Sequence, residues 1–356
     1  MSTGIQWTDE TWNPIRGCSR VSAGCVHCYA EVVAARFSGP GQAYEGLARR
    51  TSTGEARWTG KIMFVEKHLE DPLRWREPRR IFVNSMSDLF HEGVTDEQLD
   101  RIFAVMALAD KHTFQILTKR PARQREYVSG TDVRARIAAQ ANAIMRSRRT
   151  MQGSDHALSH RFLWRQIETA EPGEWLNRLS GIADDQWPLP NVWLGVSVEN
   201  QAAADERIPI LLDTPAAVRF LSCEPLLGPL AFPLPCIGSR FWSDLDWIIV
   251  GGESGAKARP CDVQWIRAIV AQCAEAKVPC FVKQMGKWIT GDHTGFTVNR
   301  WLLDDGRVFV PPVLGANAHV RPANAIAFGN CDDHGGNWNE WPDDLKVRDF
   351  PAESAT

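Results

Sequence analysis

The sequence of 356 residues has no apolar run long enough to cross a membrane. A membrane-spanning helix needs about 20 consecutive apolar residues, and no stretch of the chain approaches that length. The opening residues, MSTGIQWTDE, also lack the basic segment followed by an apolar segment that identifies a secretory signal peptide. We therefore expect a cytoplasmic protein with no membrane partner, in a reducing compartment where disulfides are rare.

Internal repeats and low-complexity tracts are absent from the sequence as well. Hydrophobic residues make up 44% of the chain, which is typical of a globular protein rather than a disordered one. The length suits one large domain or a domain with an insertion, and it permits a substantial core. In a reducing compartment, the nine cysteines are expected to be free thiols, metal ligands or small buried residues.

Three of these cysteines are gathered in one short segment, GCSRVSAGCVHCYA at residues 17–30, with no fourth cysteine nearby. Structural zinc usually takes four ligands, so a zinc site at Cys18, Cys25 and Cys28 would have to recruit another one. His27 lies inside the CxxC pair and is expected to point away from its neighbours. A [4Fe–4S] cluster held by three thiolates instead leaves one iron open for a substrate or cofactor. The pattern favours the cluster and keeps zinc as the alternative.

Short apolar runs with the length of β-strands recur along the chain. They are rich in Val, Ile, Phe and Trp and nearly continuously apolar, which is typical of strands buried on both faces. A first strand is expected within residues 5–16. The six later runs are IFVNSMSD (81–88), HTFQILTKR (112–120), NVWLGVSVEN (191–200), VRFLSCEP (218–225), DWIIVGGESG (246–255) and VPCFVKQMG (278–286).

Helical patterns lie between several of these runs. TDEQLDRIFAVMALADK starts with Thr95 and has Gln98 three residues later, which predicts a capping box. Strands that alternate with helices indicate a parallel sheet. We therefore predict an α/β fold, a partial or full (β/α) TIM-like barrel over residues 1–290. A basic helical insertion is expected at residues 124–188, and a C-terminal extension over residues 291–356 is expected to pack on the barrel.

Polar residues stand where the predicted strands end. Because functional groups of α/β barrels sit at the carboxyl ends of the strands, we expect these residues to converge on one mouth, together with the cysteine loop. The strand-end residues are Asn84, Ser85, Ser87, Asp88, Lys119, Arg120, Ser197, Glu199, Asn200, Glu224, Glu253, Ser254, Lys283 and Gln284.

The cysteine loop after a first strand, with a parallel barrel behind it, resembles the radical S-adenosylmethionine (SAM) superfamily. A closer resemblance is to a family of phage-encoded and prophage-associated proteins that is placed with the radical SAM barrels. It is carried by WTDETWNPIRGCSRVSAGCVHCYAE, IFVNSMSDLFHE, FQILTKRP, NVWLGVSVENQ, FLSCEPLLGP, WIIVGGESG and the closing WPDDLKVRDFP. The spacing between the first two cysteines differs from the superfamily pattern: six residues separate Cys18 from Cys25, where the superfamily usually has three. If a phage encodes the protein, the expected location is the host cytoplasm.

The resemblance implies a cofactor pair and a set of contacts. Cys18, Cys25 and Cys28 would hold a [4Fe–4S] cluster, SAM would be the second cofactor, and a flavodoxin- or ferredoxin-like protein would donate the electron. Candidate SAM contacts are His27, Tyr29, Asn84, Ser85, Asp88, Ser197, Glu199 and Glu224. Candidate catalytic residues are Glu253, Lys119 and Lys283. Gly251-Gly252-Glu253 spells the superfamily's GGE, but on about the sixth strand rather than the second.

The substrate is suggested only by charge. Ten arginines and three acidic residues lie between Arg120 and Arg165, a local balance of +7 in a chain with net charge −3. This excess favours a nucleic acid or nucleotide, with a solvated helix face as the plain alternative. The candidate phosphate contacts in the insertion are Arg134, Arg136, Arg146, Arg148, Arg149, His160, Arg161 and Arg165.

We therefore predict a radical SAM enzyme that modifies a nucleic-acid base or nucleotide, for example by isomerisation or rearrangement. Three other functions stay open: a zinc-binding nucleic-acid module without catalysis, an iron–sulfur or zinc barrel hydrolase, and a structural phage or interaction protein.

Overall fold

The structure is a computed structural model. It describes residues 4–151, 187–233, 240–255, 257–294, 296, 298, 300–310, 323, 325–329 and 335–351. The chain divides into two compact units. The first unit comprises Met1–Ser19, Ala34–Leu194 and Asp213–Ala217, and the second comprises Arg20–Val33, Gly195–Leu212 and Val218–Thr356.

The described residues include 16 strands and eight α-helices. The strands are β1 Glu10–Trp12, β2 Ile15–Arg16, β3 Ala48–Arg50, β4 Ala56–Trp58, β5 Met63–Phe64, β6 Arg80–Val83, β7 Thr113–Thr118, β8 Val192–Ser197, β9 Val218–Cys223, β10 Trp247–Gly251, β11 Cys261–Asp262, β12 Cys280–Gln284, β13 Ile289–Thr290, β14 Arg300–Leu303, β15 Val308–Phe309 and β16 Ala325–Gly329. The helices are α1 Tyr29–Arg36, α2 Glu66–Leu69, α3 Asp96–Leu108, α4 Pro121–Val128, α5 Val133–Met151, α6 Gln201–Leu212, α7 Arg240–Ser243 and α8 Val263–Ala276.

A seven-stranded sheet confirms the predicted α/β architecture. Its strand order is β1-β6-β7-β8-β9-β10-β12, so neighbours in the sheet follow one another along the chain except where short strands intervene. The pairs β1–β6, β6–β7, β9–β10 and β10–β12 are all parallel. Six of the seven strands lie within the segments predicted to be strands, and β6 starts one residue before its predicted segment, 81–88. Strands β8 and β10 are buried along their whole length, as the continuous apolar runs indicate.

Helix α3 begins as its sequence predicts. The backbone N–H of Gln98 donates to Thr95 Oγ1 at 3.3 Å, and the Thr95 N–H donates to Gln98 Oε1 at 3.1 Å, which completes the capping box. Leu99 and Ile102 are fully buried. This helix therefore packs through the stripe that its 3.6-residue periodicity predicts.

Within the first unit, the start of the predicted insertion joins the helical layer. Buried Asp100 on α3 accepts hydrogen bonds from Tyr127 Oη and Arg136 Nε, both at 2.9 Å. Helix α5 also buries Val133 and Ile137. This part of the segment is thus packed on α3. Residues 152–186, which include His160, Arg161 and Arg165, lie outside the described residues, as does the side chain of Arg149.

Within the second unit, a five-stranded sheet has the order β11-β13-β16-β14-β15. Its strands β11 and β13 precede residue 291, where the extension was predicted to begin. The closing segment is held on β12, because the Val282 N–H donates to the Val347 carbonyl at 2.8 Å. The Arg348 guanidinium also lies over the ring of Trp338, 4.5 Å from its centroid. Among the described residues, no helix has the length and apolarity needed to cross a membrane.

Candidate functional site

The cysteine loop starts at a position that only glycine fits. Gly17 has φ of +92°, and a Cβ built on it would lie 2.1 Å from the Lys61 carbonyl oxygen. Gly17 also forms an isolated parallel bridge with Ser87, which follows β6. The backbone just before Cys18 is therefore fixed against two segments of the first unit.

In the first unit, Ser19 is held by two side chains. Its Oγ lies 2.9 Å from His91 Nε2, and Arg120 Nη2 donates to the same oxygen at 2.8 Å. His91 Nδ1 accepts from the Gly93 N–H at 3.0 Å, so the ring proton resides on Nε2 and points to Ser19. Burial, followed by the positive charge of Arg120, lowers the pKa of His91, which keeps the ring neutral.

Asp88 connects the loop after β6 with the end of β7. Its carboxylate accepts from Thr118 Oγ1 at 2.7 Å, from the Lys119 N–H at 3.1 Å and from Arg120 Nη1 at 3.1 Å. Burial alone would lower the pKa of Arg120, but Asp88, Cys18 and Glu92 together raise it. Asp88, predicted to contact SAM, thus positions a permanent cation beside Cys18.

Asn84 and Ser85 lie where β6 ends, as predicted. Asn84 adopts φ of +61° and is buried, and its Oδ1 accepts from the Ile15 N–H at 3.3 Å. Ser85 Oγ donates to Asn13 Oδ1 at 3.2 Å. In the part of the chain that the structure describes, the buried Asn84 Nδ2 has no hydrogen-bond partner, so this amide retains a donor for a ligand.

In the second unit, strand-end residues hold the CxxC segment. A 3₁₀ turn spans Ala23–Cys25, and its Gly24 N–H donates to Glu199 Oε1 at 3.3 Å. His27 Nδ1 lies 3.0 Å from Glu253 Oε2. The segment is thereby connected to the residues that follow β8 and β10.

Glu253 is itself clamped by Arg259. Oε2 accepts from the Arg259 backbone N–H at 2.8 Å and from Nε at 2.9 Å, while Oε1 accepts from Nη2 at 2.6 Å. Burial would raise the pKa of Glu253, but the hydrogen bonds from Arg259 and His27 outweigh it and lower the pKa. Arg259 Nη1 also donates to the Ala23 carbonyl at 3.0 Å. Glu253, predicted to be catalytic, therefore holds the loop as an ionised anchor.

Glu199 forms a buried ion pair with Arg207. Arg207 Nη1 donates to Glu199 Oε2 at 2.9 Å and to the Ser197 carbonyl at 2.8 Å. The Arg207 side chain is 5% exposed and that of Glu199 is 1% exposed, so the two charges compensate each other away from water. Ser197 is buried beside them.

A further pair in the second unit joins the ends of β9 and β12. Lys283 Nζ lies 2.6 Å from Glu224 Oε1, and Gln284 Nε2 donates to the same oxygen at 3.1 Å. Both charged side chains are about one fifth exposed, so the pair is accessible to a ligand. Tyr29, which opens α1, is 56% exposed.

The structure thus brings predicted residues together in small groups within each unit. The first unit joins Asp88 with the backbone of Lys119, and the second joins His27 with Glu253 and Lys283 with Glu224. The predicted site residues did not include the groups that hold them: His91, Arg207 and Arg259. His91 lies three residues after Asp88 in the SDLFHE segment, and this proximity could have identified it as a candidate from the sequence. Nothing in the sequence shows that Arg259 folds back on Glu253 or that Arg207 reaches Glu199 from α6.

Accessibility separates the cysteines. Cys18, Cys25 and Cys28 are partly exposed, while the other four described cysteines, Cys223, Cys261, Cys273 and Cys280, are buried. Burial raises the pKa of Cys261 to about 12, so that thiol stays protonated. Of the described cysteines, only the loop thiols therefore have the access that a metal or cluster requires.

The loop residues Cys18, Cys25 and Cys28 offer thiol donors. In the described part of the chain, no group of three or more His, Cys, Asp or Glu is placed so that it could hold a metal ion. The donor chemistry nevertheless fits a soft metal, since thiolates prefer iron–sulfur clusters and zinc.

Comparison with known proteins gives the family. The chain belongs to the family described as "Protein of unknown function (DUF5131)", which matches residues 2–342. No curated protein matches the chain. Among solved structures, it is similar to a GH18 chitinase from Cycas revoluta in complex with (GlcNAc)3, with 11% identity, 72% of this chain and 69% of that chain covered, and a TM-score of 0.24. A likeness at that TM-score carries no argument about fold or activity.

Proposed function

We propose that this protein is a radical SAM enzyme in which Cys18, Cys25 and Cys28 hold a [4Fe–4S] cluster. The observation that supports this most directly is the accessibility of these three thiols, in contrast to the four buried cysteines. The seven-stranded sheet, with helices between its strands, is compatible with a partial (β/α) TIM-like barrel as the scaffold. The proposal also includes the phage or prophage origin and the cytoplasmic location that the sequence resemblance implies.

When bound, the cluster and SAM would supply a one-electron reductive cleavage of the sulfonium that starts hydrogen abstraction from the substrate. A flavodoxin- or ferredoxin-like protein is the proposed electron donor. Asn84 would offer its unpaired amide donor to the cofactor, and the accessible Glu224–Lys283 pair would contact cofactor or substrate.

The chain's own residues would prepare the loop for an anionic cluster. Carboxylates beside thiolates repel them unless their charge is compensated. Arg207 compensates Glu199, and Arg259 compensates Glu253, so both acids hold the loop without adding net negative charge. Arg120 places a positive charge near Cys18, where it would offset the negative charge of a bound cluster.

The proposed substrate is a nucleic-acid base or nucleotide. Two arginines of α5 that were expected to contact phosphates are engaged elsewhere, since Arg136 pairs with Asp100 and Arg148 with Glu70. Lys119 at the end of β7 remains a candidate near the cysteine loop, whereas Arg120 is already paired with Asp88 and Glu92. A basic surface in the first unit is described below.

A zinc site is the second candidate, and one observation favours it. Metal-binding histidines commonly donate one ring N–H to a carboxylate, and His27 Nδ1 makes such a contact with Glu253. His27 Nε2 could then complete a Cys3His set with Cys18, Cys25 and Cys28. This set would support a nucleic-acid-binding module without catalysis.

Anaerobic reconstitution followed by metal analysis tests the proposal. Wild-type protein should bind about four iron and four sulfide per chain and show visible absorbance. Replacing Cys18, Cys25 and Cys28 with Ala should abolish both. Val26→Ala is the matched control, because Val26 is 41% exposed within the CxxC pair and carries no ligand atom. Iron retained by the triple variant, or stoichiometric zinc in anaerobically purified protein, would contradict the cluster.

His27→Ala separates the two candidates. A cluster held by three thiolates should keep its iron in this variant, whereas a Cys3His zinc site should lose most of its zinc. Dithionite-reduced, cluster-loaded protein should also release 5′-deoxyadenosine from SAM. Release of S-adenosylhomocysteine alone would point to ordinary methyl transfer and against radical chemistry.

A further inference from the structure

A short antiparallel β-ribbon in the first unit carries an unusual charge pattern. We call β3, β4 and the connecting residues 51–55 the basic ribbon. Its register places Arg49 directly opposite Arg57, with Ala48 opposite Trp58 and Arg50 opposite Ala56. Like charges directly opposite each other destabilise a strand pair, and Glu55 within the ribbon offsets this only at Arg57.

The inner face of the basic ribbon is fixed on the core. Ala48 and Ala56 are buried with Tyr44 and Leu47, and Trp58 packs against the same cluster. The turn is closed by the Thr51 N–H, which donates to the Glu55 carbonyl at 2.8 Å. Because side chains alternate along a strand, Arg49 and Arg57 lie on the opposite, outer face.

The charges of the basic ribbon are largely uncompensated. Arg49 and Arg50 of the ribbon are exposed, as is Lys61, which follows the ribbon in the chain. In the described part of the chain no carboxylate pairs with any of them. Arg57 is paired with Glu55, at 2.7 Å. Four cations against one acid between residues 48 and 61 give a local charge of +3, in a chain whose net charge is −3.

We propose that the basic ribbon binds the phosphate backbone of a nucleic acid. Phosphates between Arg49 and Arg57 would convert the repulsion of the two guanidinium groups into bidentate, charge-assisted hydrogen bonds. A two-stranded ribbon also has the width that the major groove of a duplex admits. The exposed Ser52 in the turn carries a hydroxyl that can donate to a phosphate oxygen as well.

This inference rests on the proposed function only where that function names a nucleic-acid substrate. It requires neither the cluster nor SAM. Binding is therefore measured on metal-free protein, so that a failure of cluster assembly leaves the result unaffected.

The test is a salt titration of nucleic-acid binding. A fluorescent DNA duplex of about 20 base pairs and a single strand of the same length are bound by wild type and by Arg49→Gln/Arg57→Gln. The double variant should bind at least roughly tenfold more weakly, and its slope of log K against log salt should flatten by about two. The stronger of the two wild-type affinities identifies duplex or single strand as the source of the phosphates.

Two controls make the result decisive. Arg49→Lys/Arg57→Lys keeps the charges and should keep the salt slope. Arg74→Gln removes an exposed arginine that already pairs with Asp71, and it should bind as wild type. Far-UV circular dichroism and a thermal melt verify that each variant is folded. Wild-type affinity and slope in the folded Gln double variant would overturn the inference, as would an equal flattening of the salt slope in the Lys double variant, which keeps both charges.

Discussion

At the scale of single residues, the candidate site is built from charges that compensate one another. Glu199 and Glu253 contact the cysteine loop, and each is neutralised by an arginine, Arg207 or Arg259. The sequence predicted the two acids, because they follow apolar strands. It did not predict the arginines, because their pairing depends on how α6 and the loop after β10 fold back.

The buried Glu199–Arg207 pair leads to a testable prediction about the stability of the fold. Glu199→Ala leaves the Arg207 charge buried without a partner, and removing one member of a buried pair typically costs about 3–5 kcal/mol. We expect the free energy of unfolding, measured by urea denaturation, to fall by about 3 kcal/mol. Asp305→Ala removes the partner of exposed Arg307 and should change it by less than about 0.5 kcal/mol. Equal effects in the two variants would refute the role assigned to Glu199.

The lowered pKa of His91 predicts that the stability of the fold depends on pH. Its pKa in the folded protein is lowered from 6.5 by burial and by Arg120, although Glu92 and Asp88 oppose the shift. A histidine with a lowered pKa stabilises the fold fully above 6.5, and that contribution is lost as pH falls from 6.5 through the folded pKa. The unfolding free energy of wild type should therefore decline over this range, by at most about 1.4 kcal/mol per pH unit from this one group. His91→Gln should show a smaller decline, and an identical pH profile would contradict the assignment.

At the scale of secondary-structure elements, the sequence was informative wherever burial was continuous. Six of the seven strands of the large sheet lie within predicted segments, and β6 starts one residue early. Strands buried on both faces have no polar interruption, which makes them easy to find in the sequence. The small strands β11 and β13 were missed, since two residues give no periodicity. The basic ribbon was missed for a related reason: its outer face is charged, so ARRTSTGEARW shows little of the apolar alternation that indicates a strand.

The N-terminal cap of helix α3 can be tested by mutation. Thr95→Ala removes the side-chain oxygen that accepts from the Gln98 N–H, and loss of such a cap costs about 1 kcal/mol. The thermal midpoint should fall measurably, while Thr95→Ser should retain most of the stability because the hydroxyl remains. Ser52→Ala, in the exposed turn of the basic ribbon, is the control and should leave the midpoint unchanged. A Thr95→Ala protein as stable as the control would mean that the cap contributes nothing.

At the scale of the whole molecule, exposure divides the cysteines into two classes that the sequence could only suggest. Spacing alone singled out Cys18, Cys25 and Cys28. The structure adds the physical distinction: the loop thiols are partly accessible, and the four other described thiols are buried, with a raised pKa at Cys223, Cys261 and Cys280. Cluster geometry could not be predicted, because a metal-bound arrangement depends on a ligand that the chain alone does not specify.

This division predicts which thiols react and what protects them. In native, metal-free protein, iodoacetamide should modify Cys18, Cys25 and Cys28 within minutes, while Cys223, Cys261, Cys273 and Cys280 should react only after denaturation, because alkylation needs an accessible thiolate. Peptide mass spectrometry measures each site. Anaerobic loading with iron and sulfide should then protect all three loop cysteines together and raise the thermal midpoint, since a ligand that binds only the folded state stabilises it. Protection of only two of the three, or rapid alkylation of the buried thiols in folded protein, would show that the three loop cysteines do not act as one ligand set.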